Sequence, residues 1–243
     1  MPLRALFVGI DRYRDDRIRD LSGAKRDALA LWALFVDTLK SDTIPHFVDG
    51  AATLASFRHA LDQALGEAGA DDTVVVFFAG HGTHEHQFVL HDSDPDRLAD
   101  TTMPMQELAD RFRSTRARAV LCVLDCCFSG GAPGRVLEES PSPRAPAEGV
   151  SLLEGQGRVI LSACGPAESA YELPTTQHGL LTHALLAALQ AEHGGSIAVM
   201  TDAVMASVRA EAGRLGVRQT PVCLAHIEGG LTIPRLVPGA KFT

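Results

Sequence analysis

Two uninterrupted apolar runs of strand length, Thr73–Ala79 (TVVVFFA) and residues 119–124 (AVLCVL), constrain the fold of this chain more than any other feature. A strand with one wet face alternates apolar and polar residues, whereas one covered on both faces does not. Both runs therefore belong at the centre of a parallel sheet, and parallel neighbours require crossover connections, usually helices. The remaining sequence supplies them. Residues 4–9 predict a first strand. Ser22 predicts an N-cap for a helix running to about Leu39, with Ala28, Leu31, Trp32, Phe35 and Leu39 on one face. A short strand is expected over 43–48 and a helix over 53–67, ended by Gly66 and Gly69. A helix over 105–113 joins the two apolar runs, a strand follows at 158–163, and helices follow at 180–192 and at Ile197–Leu215. This alternation predicts an α/β fold: an open, mostly parallel sheet flanked by helices on both faces. Residues 132–149 hold four prolines and few apolar side chains and read as an exposed linker. Residues 221–233 read as a packed edge or an interface.

Bulk properties exclude several function classes. A net charge of −8, with 22 basic residues and no basic run, does not suit a protein that neutralises nucleic-acid phosphates. No apolar run reaches the ~18 residues that cross a bilayer, and the apolar stretch in MPLRALFVGI is too short for a secretion signal. Five cysteines, at 122, 126, 127, 164 and 223, do not form an even disulfide framework. The expectation is a reduced, soluble, cytoplasmic protein with neither nucleic-acid nor membrane partners.

In parallel sheets, ligands bind at the carboxyl ends of the strands. One central run leads directly into Gly80-His81-Gly82, and the other into Asp125-Cys126-Cys127-Phe128-Ser129-Gly130. Parallel strands would bring a histidine and a cysteine pair to one sheet edge. A thiol nucleophile needs such a base within hydrogen-bond reach. Cys126 and Cys127 leave the strand on opposite sides, so one thiol faces His81 and the other is expected to be a small buried hydrophobe, as are Cys122, Cys164 and Cys223.

The His-Gly and Asp-Xaa-Cys-Xaa-Ser-Gly pair resembles the caspase-like cysteine peptidases, especially metacaspases and their bacterial relatives. Gly9-Ile10-Asp11-Arg12-Tyr13, Leu21 through Ala28, Leu161-Ser162-Ala163-Cys164, Glu168 through Glu172 and Gly179 through Leu186 extend the likeness along nearly the whole chain. The resemblance implies one domain over 1–243. Its large-subunit-like half (1–131) would carry the dyad, a linker would span 132–149, and 150–243 would form the small-subunit-like half. It also implies an endopeptidase that forms an acyl-enzyme, with Cys127 as nucleophile and His81 as base. Backbone N–H groups of Gly82 and Cys127 would hold the oxyanion, and Asp27 and Asp125 would bind an Arg or Lys before the scissile bond. No cofactor enters this chemistry. Arg135 and Arg144 are the implied self-cleavage positions. The implied partners are a protein or peptide substrate and an activating protein, in a bacterial defence or stress response.

This sequence departs from the metacaspase pattern at Ala79, where a serine is common, and at Phe128, where histidine is common. Metacaspases are often activated by calcium, and Asp92, Asp94 and Asp96 offer oxygen ligands, although an acidic surface loop explains them equally well. Two rival readings accompany this one. His81, His84 and His86, with His91 and Asp92 nearby, form a cluster suited to a zinc hydrolase, although His84 and His86 also read as exposed loop residues lining the cleft. The domain could also be a catalytically silent scaffold. For Asp27 the simple alternative is a solvated acid on a helix surface, and for Asp125 a strand-end residue satisfying local N–H groups.

Overall fold

The computed structural model describes residues 2–126, 150–165, 168–191, 195–226 and 231–242. Six strands form one sheet in the order β2-β1-β3-β6-β7-β8. They are β1 (Leu3–Gly9), β2 (His46–Val48), β3 (Thr73–Ala79), β6 (Ala119–Asp125), β7 (Arg158–Ser162) and β8 (Val222–His226). All neighbours are parallel except β7 and β8, which are antiparallel. A two-stranded ribbon of β4 (Gln87–Phe88) and β5 (Met103–Pro104) stands beside the sheet. The expected α/β architecture is observed.

Every residue of β3 and β6 is buried, as their unbroken apolar runs require. Successive side chains alternate between two cores. Val75, Phe77, Ala79, Leu121 and Val123 face α1 (Ala24–Leu39), α5 (Leu180–Gln190) and α6 (Ile197–Leu215). Val74, Val76, Phe78, Cys122 and Leu124 face α2 (Leu54–Leu61) and α4 (Met105–Ser114). A short helix, α3 (Leu98–Thr101), lies between the ribbon strands in sequence. Among the described residues no helix is long and apolar enough to cross a membrane.

Four expectations are corrected. Ser22 does not cap α1: its hydroxyl donates to Glu172 Oε2 at 2.6 Å, and the Ala24 N–H is met instead by Asp11 Oδ1 at 2.8 Å. The cap thus comes from the loop after β1. The strand expected over 43–48 keeps only three residues, because β1 offers its edge there only from Phe7 to Gly9. The helix expected over 53–67 begins with Thr53 and Ser56 in a reciprocal capping box, then widens to a π turn over Asp62–Gly66. Finally, α1 is buried beyond its apolar stripe, including Asp37. That carboxylate accepts the backbone N–H groups of Gly239, Lys241 and Phe242, which bind the last residues of the chain to the helix. The segment 221–233 is in part a packed edge, β8; residues 227–230 lie outside the described residues.

Gly9, at the end of β1, shows how closely sheet and helix approach. A Cβ there would sit 2.2 Å from the Ala24 carbonyl oxygen and 2.6 Å from Ala28 Cβ. Only glycine lets the first turn of α1 pack so near the strand, which draws Asp27 towards the carboxyl edge of the sheet.

Candidate active site

The parallel register pairs Gly9 with Ala79 and Ala79 with Asp125. Residues shortly after these three positions emerge at one sheet edge. Two residues past Ala79 stands His81, fully buried. Its backbone N–H donates to the Tyr13 hydroxyl at 2.9 Å, and the tyrosine ring tilts against the imidazole with centroids 5.1 Å apart. Its Nε2 lies 2.7 Å from the carbonyl oxygen of Arg19. A carbonyl only accepts, so Nε2 carries a proton, and in the neutral ring Nδ1 carries the lone pair.

Tyr13 and Arg19 sit on the loop that leaves β1, and Asp49 anchors that loop. Asp49 Oδ1 accepts the N–H groups of Asp11 and Arg12 at 2.9 and 3.1 Å, and Oδ2 pairs with Lys25 Nζ at 2.9 Å. Burial pushes its carboxyl pKa up, but Lys25 and the two N–H donors outweigh burial and hold it below the ordinary carboxylate range. Asp49 makes these contacts from a left-handed backbone conformation, φ 45°, one that short polar side chains tolerate best.

Gly82 lies opposite Phe88 in an antiparallel bridge. The bonds flanking that pair run from Thr83 N–H to Gln87 O at 3.0 Å and from Val89 N–H to His81 O at 3.1 Å. Gly82 therefore occupies a non-hydrogen-bonded position, and its own N–H is directed away from the Phe88 side.

Two carboxylates meet at the start of α5. Asp125, at the end of β6, is fully buried; its Oδ2 accepts the Thr182 hydroxyl at 2.6 Å and the Thr182 N–H at 3.3 Å. Asp27, one turn into α1, is also fully buried, which excludes a solvated helix-surface acid. It accepts His178 Nδ1 at 2.7 Å and the Gly179 N–H at 3.1 Å. Gly179 separates the two acids so narrowly that a Cβ on it would lie 2.4 Å from Asp125 Oδ2. Both charges face the amino end of α5, where unpaired N–H groups and the helix dipole favour anions. The loop before α5 is tied to the residues preceding α1 by Ser22–Glu172 and to α1 itself by Arg26 Nη1, which donates to Gln177 Oε1 at 2.6 Å.

Cys126 is buried in the core formed with α2 and α4, as expected of a packing residue. Cys122 and Cys164 are buried and Cys223 is half-buried, so the last is only partly the core thiol expected. Burial pushes the Cys122 thiol far above its ordinary range, so it stays protonated and unreactive. Cys127, Phe128, the 132–149 segment, Arg135 and Arg144 lie outside the described residues.

The histidine cluster does not converge on a metal position: among the described residues no three His, Cys, Asp or Glu side chains could share an ion. His81 Nε2 and His91 Nδ1 turn to the carbonyls of Arg19 and Arg12, and Asp92 Oδ1 accepts the Leu54 N–H at the start of α2. His84 and His86 are half-buried rather than exposed. Asp94 and Asp96 share Arg17 as their partner, whereas Asp92 serves the start of α2. Sequence reading did not identify His178, Thr182 or Asp49 as parts of the site. The available signal was Gly179, a glycine at the start of an apolar helix with a histidine beside it.

Comparison with known proteins gives three findings. The family model described as Caspase domain matches residues 3–229. A probable protease from a Desulfuromonadales bacterium is 27% identical over 219 residues, covering 76% of this chain and 26% of that protein. The chain thus spans about a quarter of the length of the curated relative it matches. A solved structure of a Geobacter sulfurreducens protein superposes with a TM-score of 0.67 at 15% identity, covering 96% of this chain and 95% of the other, a likeness of fold.

Proposed function

The chain belongs to the caspase domain family, and from that premise we propose that it is a cysteine endopeptidase cleaving protein substrates after Arg or Lys. In this reading the 243 residues work as one peptidase domain whose first half, 1–131, carries the dyad. The 132–149 segment connects it to the second half, 150–243. Cys127 is the nucleophile. Odd-numbered residues of β6 face α5, the side on which Asp125 lies, and Cys127 shares their parity whereas Cys126 does not.

The observation that carries the reading is the state of His81. With Nε2 committed to the Arg19 carbonyl, Nδ1 is the nitrogen that takes the thiol proton. The thiolate then attacks the scissile carbonyl, and its sulfur–carbon bond forms as the carbonyl π pair moves to oxygen. The Gly82 and Cys127 N–H groups hold that oxyanion. The imidazolium returns its proton to the leaving amine as the C–N bond breaks. His81 then draws a proton from water, which displaces the thiolate from the acyl-enzyme.

Specificity rests on Asp27 and Asp125. Two buried carboxylates set side by side offer a guanidinium or ammonium a strong, desolvated electrostatic partner. The enzyme is cytoplasmic, acts in a defence or stress response and responds to a protein activator. Arg135 and Arg144 are its own substrates within the 132–149 segment.

A panel of fluorogenic peptides ending in Arg, Lys or Asp, assayed with and without calcium, tests this function. Activity after Arg or Lys that vanishes in Cys127→Ala and survives in Cys126→Ala is the expected result. Cleavage after Asp refutes the pocket assignment. Silence towards every peptide, combined with no labelling of Cys127 by an arginyl covalent inhibitor, returns the domain to a scaffold. A band pattern on denaturing gels that matches cuts after 135 or 144 tests self-processing.

A further inference from the structure

His178 lies directly on the acid pair. Its Nδ1 is 2.7 Å from Asp27 Oδ1, and the side chain is 17% exposed while Asp27 is closed to solvent. The imidazole therefore stands on the open side of Asp27. The loop that carries it is fastened at three further points: the Leu173 N–H to the His178 carbonyl at 2.8 Å, Glu172 bridged to Gly179, and Arg26 on Gln177. These contacts fix the ring against the carboxylate.

We propose that His178 is a specificity-determining residue whose charge state sets how well the pocket takes a cationic side chain. This rests on the reading that Asp27 and Asp125 form the pocket for Arg or Lys. A neutral ring donates one hydrogen bond from Nδ1 and brings no positive charge to the pair. A protonated ring places a cation at that same carboxylate, so the pocket already holds one positive charge and repels a second. The other charged or titratable groups around it, among the described residues, are Asp27 and Arg26 of α1, Asp125 of β6, Glu172 of its own loop and His183 of α5. Histidine is the group in this set that ordinarily changes charge between pH 5 and 8.

The experiment uses butylguanidinium, which mimics the arginine side chain and has no bond to cleave, with neutral butylurea as its isostere. Binding to the intact chain is followed by NMR from pH 5.5 to 7.5. Because the ring protonated at the acid end of that range repels the ligand, wild-type affinity should rise several-fold from pH 5.5 to pH 7.5, and butylurea should not bind. His178→Asn keeps a donor for Asp27 and removes the charge change, so its affinity should stay flat. As a check that does not depend on the variant folding, saturating butylguanidinium should move the wild-type His178 ring titration about one pH unit lower.

The outcomes separate the two ideas. No butylguanidinium binding at any pH, or equal binding of butylurea, defeats the pocket reading and this inference with it. Guanidinium-selective binding that is independent of pH leaves the pocket standing and overturns the role of His178. An equal rise in wild type and His178→Asn, or an unmoved ring titration, does the same by assigning the pH effect to other groups.

Discussion

Gly179→Ala tests the geometry of the acid pair without removing either acid. The new methyl would begin 2.4 Å from Asp125 Oδ2 and 3.0 Å from its Cγ. Ordinary van der Waals contact starts near ~3.5 Å, so the carboxylate must retreat by about 1 Å. It has little freedom to do so, because Asp125 is fully buried and Oδ2 is held at 2.6 Å by the Thr182 hydroxyl. A shift of that size breaks the bond. A hydrogen bond to a charged group contributes about 1.5–3 kcal/mol, while replacing glycine returns about 0.4–1 kcal/mol through the unfolded chain, the Gly179 backbone being unstrained. The expected net loss is therefore about 1–2 kcal/mol in urea unfolding. If Asp125 also contacts the substrate cation, kcat/KM for arginyl peptides should fall about 10- to 100-fold as well. The decisive measurement is a double-mutant cycle with Asp125→Ala, in which the methyl meets no carboxylate and the penalty should largely disappear. An unchanged penalty in the Asp125→Ala background would falsify the wedge.

Three further outcomes follow from other parts of the fold. Asp11→Ala removes the acceptor at the start of α1 and should cost about 1 kcal/mol in urea unfolding, whereas Ser22→Ala should change stability by less than about 0.5 kcal/mol. Burial keeps the Cys122 thiol neutral in the fold, but in the unfolded chain it ionises above about pH 8.5. Its contribution to stability is present below that pH and is lost as pH rises. Wild type should therefore lose about 1 kcal/mol more than Cys122→Ala between pH 8 and 9.5. At Asp37, burial pushes the carboxyl pKa up, but the N–H groups of Lys241, Phe242 and Gly239 prevail and hold it low. The hold on the chain's last residues should persist above the ordinary carboxylate range and weaken as pH falls through the lowered value. Hydrogen exchange over 237–242 reads this directly, and Asp37→Asn should exchange faster there at neutral pH.

The elements that were legible in the sequence are those whose burial is written into local composition. β3 and α6 have the limits expected of them, and β6 differs by one residue, because an apolar run or a 3.6-residue period marks where packing begins and ends. What was not legible depends on partners distant in sequence. The cap of α1 comes from Asp11, 13 residues before the N–H it meets, so the adjacent serine misleads. The β4–β5 ribbon has two residues on each side, too few to show alternation. Asp27 carries no local mark of burial: only its partners near residue 178, some 150 positions away, make a closed site of it. His81 could be singled out because glycines flank it at a strand end, whereas His178 looked like an ordinary loop residue.

The place of β7 has a further consequence for any break in the chain before it. β7 lies between β6 and β8, hydrogen-bonded to both, and its side chains enter both cores. A cut after Arg135 or Arg144 would sever one covalent connection and leave this ladder intact. The products would remain one particle, running as two bands under denaturing conditions and as one on a native gel. Moderate dilution should not separate them. Nicking would create two new chain ends without creating a subunit that can leave.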